Sequence, residues 1–199
     1  MKRPILGHEF EVEEKELLVS QLKFSPDNPR VYSVLNDAGD DPSQGDIERH
    51  MCRLEHVKQL KESIRANGGV LEPIIVKGNI VLEGNSRLAA YRLLNREVNS
   101  LQWKKIQCLI LPDDTDDKYI FTLLGEYHIV GRKDWDPYEQ AYYLYRRFKA
   151  ENESVDFMAR ELGISKQEVK KMIDVISFMK KYDDADKSHW SYYEEYIKS

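Results

Sequence analysis

The chain has 199 residues, 41% of them hydrophobic and 33% charged, with 30 Lys+Arg against 35 Asp+Glu and a net charge of -5. That length suits one domain or two small ones, needs neither disulfides nor metal to bury a core, and the acidic balance excludes coating of nucleic acid by bulk charge alone. No apolar run approaches the roughly 20 residues that span a bilayer, Met1 to Phe10 lack the apolar centre of a signal peptide, and Cys52 and Cys108 make no disulfide framework, so a soluble cytoplasmic protein with no membrane partner is expected.

Residues 22–30 read as a turn-rich extended stretch, because Pro26 and Pro29 push the residues before them away from helix. Residues 36–46 are polar and aperiodic, a loop. Met51, Leu54, Val57, Leu60 and Ile64 recur at three- and four-residue steps and predict one helical face, stopped by Asn67-Gly68-Gly69. Pro73 to Lys77 reads as a buried strand, Gly78-Asn79 as a two-residue turn and Ile80 to Glu83 as the returning strand. Gly84-Asn85-Ser86-Arg87 leads into a second helix, with Leu88, Tyr91 and Leu93 or Leu94 inward. Ile106 to Leu111 is a third strand. Asp113 to Asp117 open a helix through Leu124, where the helix dipole favours carboxylates.

Asp136-Pro137-Tyr138-Glu139 joins an N-cap, a first-turn proline and a glutamate at the third position, starting a helix with Ala141, Leu144 and Phe148 inward. Short helices follow at 155–162 and 166–180. The acidic, aromatic tail from Tyr182 to Ser199 holds a last helix at 190–197. The expected organisation is an α/β module, residues 1–131, joined through Gly131 to Trp135 to an all-helical module, residues 132–199. Net charge is -4 over 1–136, +2 over 137–181 and -3 over 182–199.

The strand-to-helix corner at Gly84-Asn85-Ser86-Arg87 has two readings. In one it is a phosphate cradle: free amides at a helix start, a glycine permitting close approach, side-chain donors from Asn85 and Ser86, and the forked cation of Arg87. In the other it is a plain N-cap, with Arg87 solvated or paired to Glu83. It is not a Walker loop, since no Gly-Lys-Ser/Thr is present. Glu126 and His128 alternate, so an extended segment puts both on one side. Two ligands are too few to assign a metal, and His128 is kept as a pocket candidate.

Residues 155–173 fit a helix-turn-helix, with Ala159 four before Gly163 and Ser165-Lys166-Gln167-Glu168 as a capping box. In a major groove Ser165, Lys166, Gln167 and Lys170 would meet bases or phosphates, and residues 165–181 carry five lysines against two acids. A plain helical hairpin is the alternative.

The run from His56 through Gly69 to Pro73 and on to Glu83 to Ala90 resembles the N-terminal domain of the partition proteins ParB, in the ParB/sulfiredoxin superfamily. Gly69 with Pro73 fits its Gly-x-x-x-Pro element and Gly84 with Arg87 its Gly-x-x-Arg helix start. Pro26 to Arg30 is similar to its Asn/Gln-Pro-Arg element. Pro137-Tyr138-Glu139-Gln140-Ala141 matches the helix start that precedes the ParB helix-turn-helix. The resemblance implies a ParB/sulfiredoxin-like α+β domain with a small mixed sheet, followed by a helix-turn-helix domain. It implies a nucleoside triphosphate, CTP or ATP with Mg2+, held by Gly69, Pro73, Gly84, Asn85, Ser86, Arg87, His128 and Arg132. It also implies DNA as partner, a homodimer, and a partition or regulatory role on plasmid or chromosome.

Two segments depart from the family pattern. Asn85 and Ser86 stand where a Glu-Arg pair is usual, and His128 to Arg132 match a Glu-Asn-x-x-Arg motif only at Arg132. Asn85 also stands where sulfiredoxin has its reactive cysteine, and an amide supplies no thiolate, so that activity is excluded. Other superfamily members imply a second reading, a phosphotransferase or nucleotide hydrolase (a CTPase or ATPase) with Glu83 or Glu126 as catalytic base. A nucleotide-independent DNA-binding regulator is the third.

Overall fold

The computed structural model describes residues 2–5, 8–31, 42–98, 100–131 and 135–198. β1 (Lys2–Ile5) and β2 (His8–Glu11) form an antiparallel hairpin. The main sheet has five strands, β3 (Glu13–Leu18), β4 (Lys23–Phe24), β5 (Ile74–Lys77), β6 (Ile80–Glu83) and β7 (Lys105–Leu111), in the spatial order β3-β7-β5-β6-β4. β5 pairs antiparallel with β6 through the Gly78-Asn79 turn and parallel with β7. The sheet is therefore mixed, as the resemblance implies.

Two of the three inner strands, β5 and β7, bury both faces. Ile74, Val76, Ile106 and Cys108 point into one core, and Ile75, Leu109 and Leu111 point into the other, following the two-residue period of a strand. The first face is covered by α1 (Gln44–Arg53), α2 (Glu55–Asn67) and α3 (Asn85–Val98), with Met51, Val57, Leu88 and Leu94 fully buried. The periodicity through Met51 and Ile64 predicts one helix. The structure splits it, because Leu54 is extended (φ -61, ψ 131) and ends α1 while starting α2. Gly68, left-handed at φ 73, stops α2 as expected.

The opposite face is covered by α4 (Asp117–Gly125), whose Leu123 packs with Val12, Ile75 and Leu111. The expected start at Asp113 is corrected: Asp116 is the N-cap, accepting from the Lys118 N–H at 2.8 Å, and Asp113 and Asp114 lie in a turn. Beyond it, residues Glu126–Val130 form a π-helical turn rather than an extended segment. Glu126 and His128 consequently do not share a face: Glu126 is exposed and His128 is buried.

α5 (Pro137–Ala150) starts with the predicted reciprocal cap: the Glu139 N–H donates to Asp136 Oδ1 at 2.8 Å, and the Asp136 N–H to Glu139 Oε2 at 3.1 Å. α6 (Val155–Leu162) and α7 (Lys166–Lys181) are joined through left-handed Gly163 and the N-cap Ser165. α8 (Trp190–Lys198) closes on α5 and α7 through Trp190, Tyr138, Ile176 and Met179. Phe121, Leu124 and Ile129 share a core with Trp135, Leu144, Met158, Leu162 and Ile173, so α4 packs both on the sheet and on the helices that follow. Among the described residues no helix is long and apolar enough to cross a membrane.

Candidate functional site

A cavity of about 600 Å³ opens between α2, the 69–72 loop, the β6–α3 corner and the π-helical turn. Its size falls within the range of small-molecule sites. The structure brings Gly69, Glu83, Gly84, Asn85, Ser86, Arg87 and His128 to its wall. Pro73 is not in the wall, and its carbonyl instead accepts from Arg87. Glu126 is exposed and does not line the cavity. Arg132 lies outside the described residues.

The corner is built around Gly84. Its φ is 95°, and a Cβ there would sit 2.4 Å from Ile74 Cγ2, so only glycine fits. The first helical bond of α3 runs from the Leu88 N–H to the Gly84 carbonyl at 3.0 Å. The amides of Asn85, Ser86 and Arg87 therefore stand at the positive end of α3 with no carbonyl of their own helix to meet. Asn85 is buried, and its side chain serves the fold: Oδ1 accepts from the Ser25 N–H at 3.1 Å and Nδ2 donates to the Val81 carbonyl at 3.0 Å. A side-chain donor aimed at phosphate is thus not available from Asn85, and its contribution to the cavity is main-chain.

Arg87 is shared. Nη1 donates to the carbonyls of Glu72 at 2.9 Å and Pro73 at 3.1 Å, while Nη2 pairs with the Glu83 carboxylate. The pairing with Glu83 is thus realised, yet the guanidinium remains in the cavity wall. Glu83 is 5% exposed. Its neutralisation by Arg87 is what makes a carboxylate tolerable at that depth.

Sequence reasoning missed several wall residues. Arg30, held by the Asn28 Oδ1 turn, donates from Nη1 to Ser86 Oγ at 3.2 Å and lies 3.5 Å from Glu139 Oε2. His56 places Nε2 3.1 Å from the same Ser86 Oγ. His56, Leu60, Ser63, Ile64 and Asn67 line the cavity from α2 at helical spacing, and that stripe is visible in the sequence once α2 is known to face a ligand space. Arg30 was signalled by its Asn-Pro-Arg element.

His128 is 5% exposed, stacks on Trp135 with ring centroids 4.0 Å apart, and its Nδ1 has no hydrogen-bond partner. Burial, then the charges of Arg30 and Arg87, pull its pKa down to about 3. The ring is neutral at physiological pH. Among the described residues no group of three or more His, Cys, Asp or Glu is placed to hold a metal.

On the helical side, Ser165, Lys166, Gln167 and Lys170 are all exposed along the first turns of α7. Ser165 Oγ accepts from the Glu168 N–H at 3.1 Å, and Lys166 pairs with Asp156 at 2.8 Å.

No protein-family model and no curated protein matches the chain. Among solved structures it is similar to a Pnob8-like ParB-N domain, with a TM-score of 0.56 and 16% identity over 92% of this chain and 77% of that one. It is also similar to the C-terminally truncated chromosome-partitioning protein ParB from Caulobacter crescentus complexed to the centromeric parS site, with a TM-score of 0.44 and 18% identity over 81% of this chain and 71% of that one. The same protein complexed with CTP-gamma-S gives 0.38 and 20% over 83% and 79%. In fold, the chain is similar to a ParB-N domain.

Proposed function

We propose that the chain is a ParB-like, nucleotide-dependent DNA-binding protein of partition or regulatory type. In this reading residues 1–131 hold a nucleoside triphosphate, CTP or ATP with Mg2+, and residues 132–199 read DNA through α7. One observation carries it: the first-turn residues of α3, Arg30, Arg87 and the buried His128 line one cavity. Such a set fits a polyphosphate, which needs many N–H donors and fixed positive charge. The carboxylates are too sparse to cage Mg2+ by themselves, so phosphate oxygens would supply most of its ligands, as that ion commonly requires. Glu83 and Ser86 would supply the side-chain oxygens nearest the phosphates.

Isothermal titration with the four nucleoside triphosphates, in wild type and Arg87→Ala, tests the reading. CTP or ATP is expected to bind, and the variant to lose roughly 10- to 100-fold, the worth of one or two charge-assisted hydrogen bonds. Binding indifferent to Arg87→Ala rejects the site. A second reading, a phosphotransferase or nucleotide hydrolase, rests on Glu83 standing in the wall. Steady turnover without DNA, lost in Glu83→Gln, favours it.

A further inference from the structure

Ser86 is the second residue of α3, and its hydroxyl does not cap that helix. It bonds sideways to two other elements: it accepts from Arg30 Nη1 at 3.2 Å and lies 3.1 Å from His56 Nε2. Ser86 Oγ thus lies between a guanidinium and an imidazole, and in the tautomer that leaves Nε2 unprotonated the serine O–H donates to His56. A hydroxyl in hydrogen-bond reach of an imidazole is the signature of an activated nucleophile. Ser86 also stands at the positive end of a 14-residue helix, beside Arg87, in the wall of a cavity that His128 also lines. Arg30 and Arg87 supply fixed positive charge where a transferring phosphoryl group would develop negative charge. His56 is exposed at the rim, so a proton taken there can pass to solvent.

We propose that Ser86 accepts the terminal phosphoryl group of the bound nucleoside triphosphate and that His56 is the base; this rests on the nucleotide reading above. Ser86 Oγ forms a bond to the terminal phosphorus as the bond from that phosphorus to its bridging oxygen breaks. The electron pair leaves with the nucleoside diphosphate. The serine proton goes to His56 Nε2 and then to water. The product is a phosphoserine carrying about -1.5 to -2 charge at the N-terminal turn of α3, where the helix dipole, Arg30 and Arg87 favour it. It would occupy the phosphate end of the cavity and exclude a second triphosphate, which makes the modified chain the nucleotide-free form.

The full chain is incubated with γ-labelled CTP or ATP and Mg2+, the label is mapped by peptide mass spectrometry, and nucleotide binding is measured in parallel by titration calorimetry. The label is expected on Ser86, to be absent in Ser86→Ala, and to return as phosphothreonine in Ser86→Thr. His56→Gln, a change at an exposed position, is expected to slow labelling by roughly 10²- to 10⁴-fold at saturating nucleotide. Nucleotide binding without phosphate on residue 86 overturns the inference and leaves the binding reading standing. Label that persists in Ser86→Ala, or wild-type labelling in His56→Gln, also overturns it. Neither binding nor label overturns both.

Discussion

His128 shows how one residue reports on the charge around it. Its pKa is drawn down to about 3, first by burial and then by Arg30 and Arg87. A histidine whose folded pKa lies below its unfolded value binds fewer protons in the native state, so stability falls as pH drops from about 6.5 towards 3. Between pH 7 and pH 5 this one group is expected to remove about 2 kcal/mol, read by denaturant unfolding at the two pH values, and His128→Asn should flatten the difference. An equal slope in the variant would place the pH dependence elsewhere. Occupation of the cavity by an anion offsets the two guanidinium groups, so the His128 titration followed by NMR should move upward on ligand addition. The sequence marked His128 as a pocket residue. Its stacking on Trp135 depends on a π-helical turn that no local pattern announces, because the turn is imposed by packing of Ile129 and Trp135 into the helical core.

Elements with a cap or a glycine stop were legible, because their signals are local. The Asp136–Glu139 cap, the Gly78-Asn79 hairpin and the 155–162 helix are formed where the residues predict them, and the helix predicted over 166–180 runs one residue further, to Lys181. β3 was illegible for the opposite reason. Glu13-Glu14-Lys15-Glu16 are exposed on an edge strand that exists only because β7 supplies its hydrogen bonds, and charges there protect the edge rather than mark a strand. The break at Leu54 likewise hides inside an unbroken apolar period. The same scale decides how α7 would meet DNA. Lys166 and Lys170 are exposed and packed against nothing in the core, so removing them should leave folding intact. Lys166→Ala and Lys170→Ala are each expected to reduce the slope of log affinity against log salt by about 1, measured by fluorescence anisotropy on duplex DNA. Slopes unchanged in both would remove α7 from the DNA interface.

At the scale of the whole molecule, the cavity and the helical region are joined by charge as well as by the shared core of α4. Glu139, 5% exposed, sits between Arg30 at 3.5 Å and Lys187 at 3.6 Å, and Lys187 also pairs with Asp136 at 2.9 Å. Burial and Asp136 push the Glu139 carboxyl above its usual range, while Arg30 and Lys187 oppose that shift. Arg30 is thus divided between Ser86 in the cavity and Glu139 at the head of α5, and α5 packs along α7 through Ala141, Tyr142, Ile176 and Met179. An anion at the start of α3 competes with Glu139 for Arg30. Weakening that pair leaves Glu139 with Lys187 alone and alters how the head of α5 is held against the segment before α8. If the chain binds nucleotide and DNA as proposed, two sites coupled in this way must affect each other equally, each changing the other's affinity by the same factor. Glu139→Gln keeps the size of the side chain and an oxygen for the Asp136 N–H, but removes the charge that Arg30 and Lys187 share. The ratio of DNA affinities with and without CTP, measured in wild type and in Glu139→Gln, should fall towards unity in the variant while each ligand still binds alone. A ratio unchanged by the substitution would mean that coupling runs through the apolar packing of α4, with the Arg30–Glu139–Lys187 cluster holding only the local structure of the α5 cap.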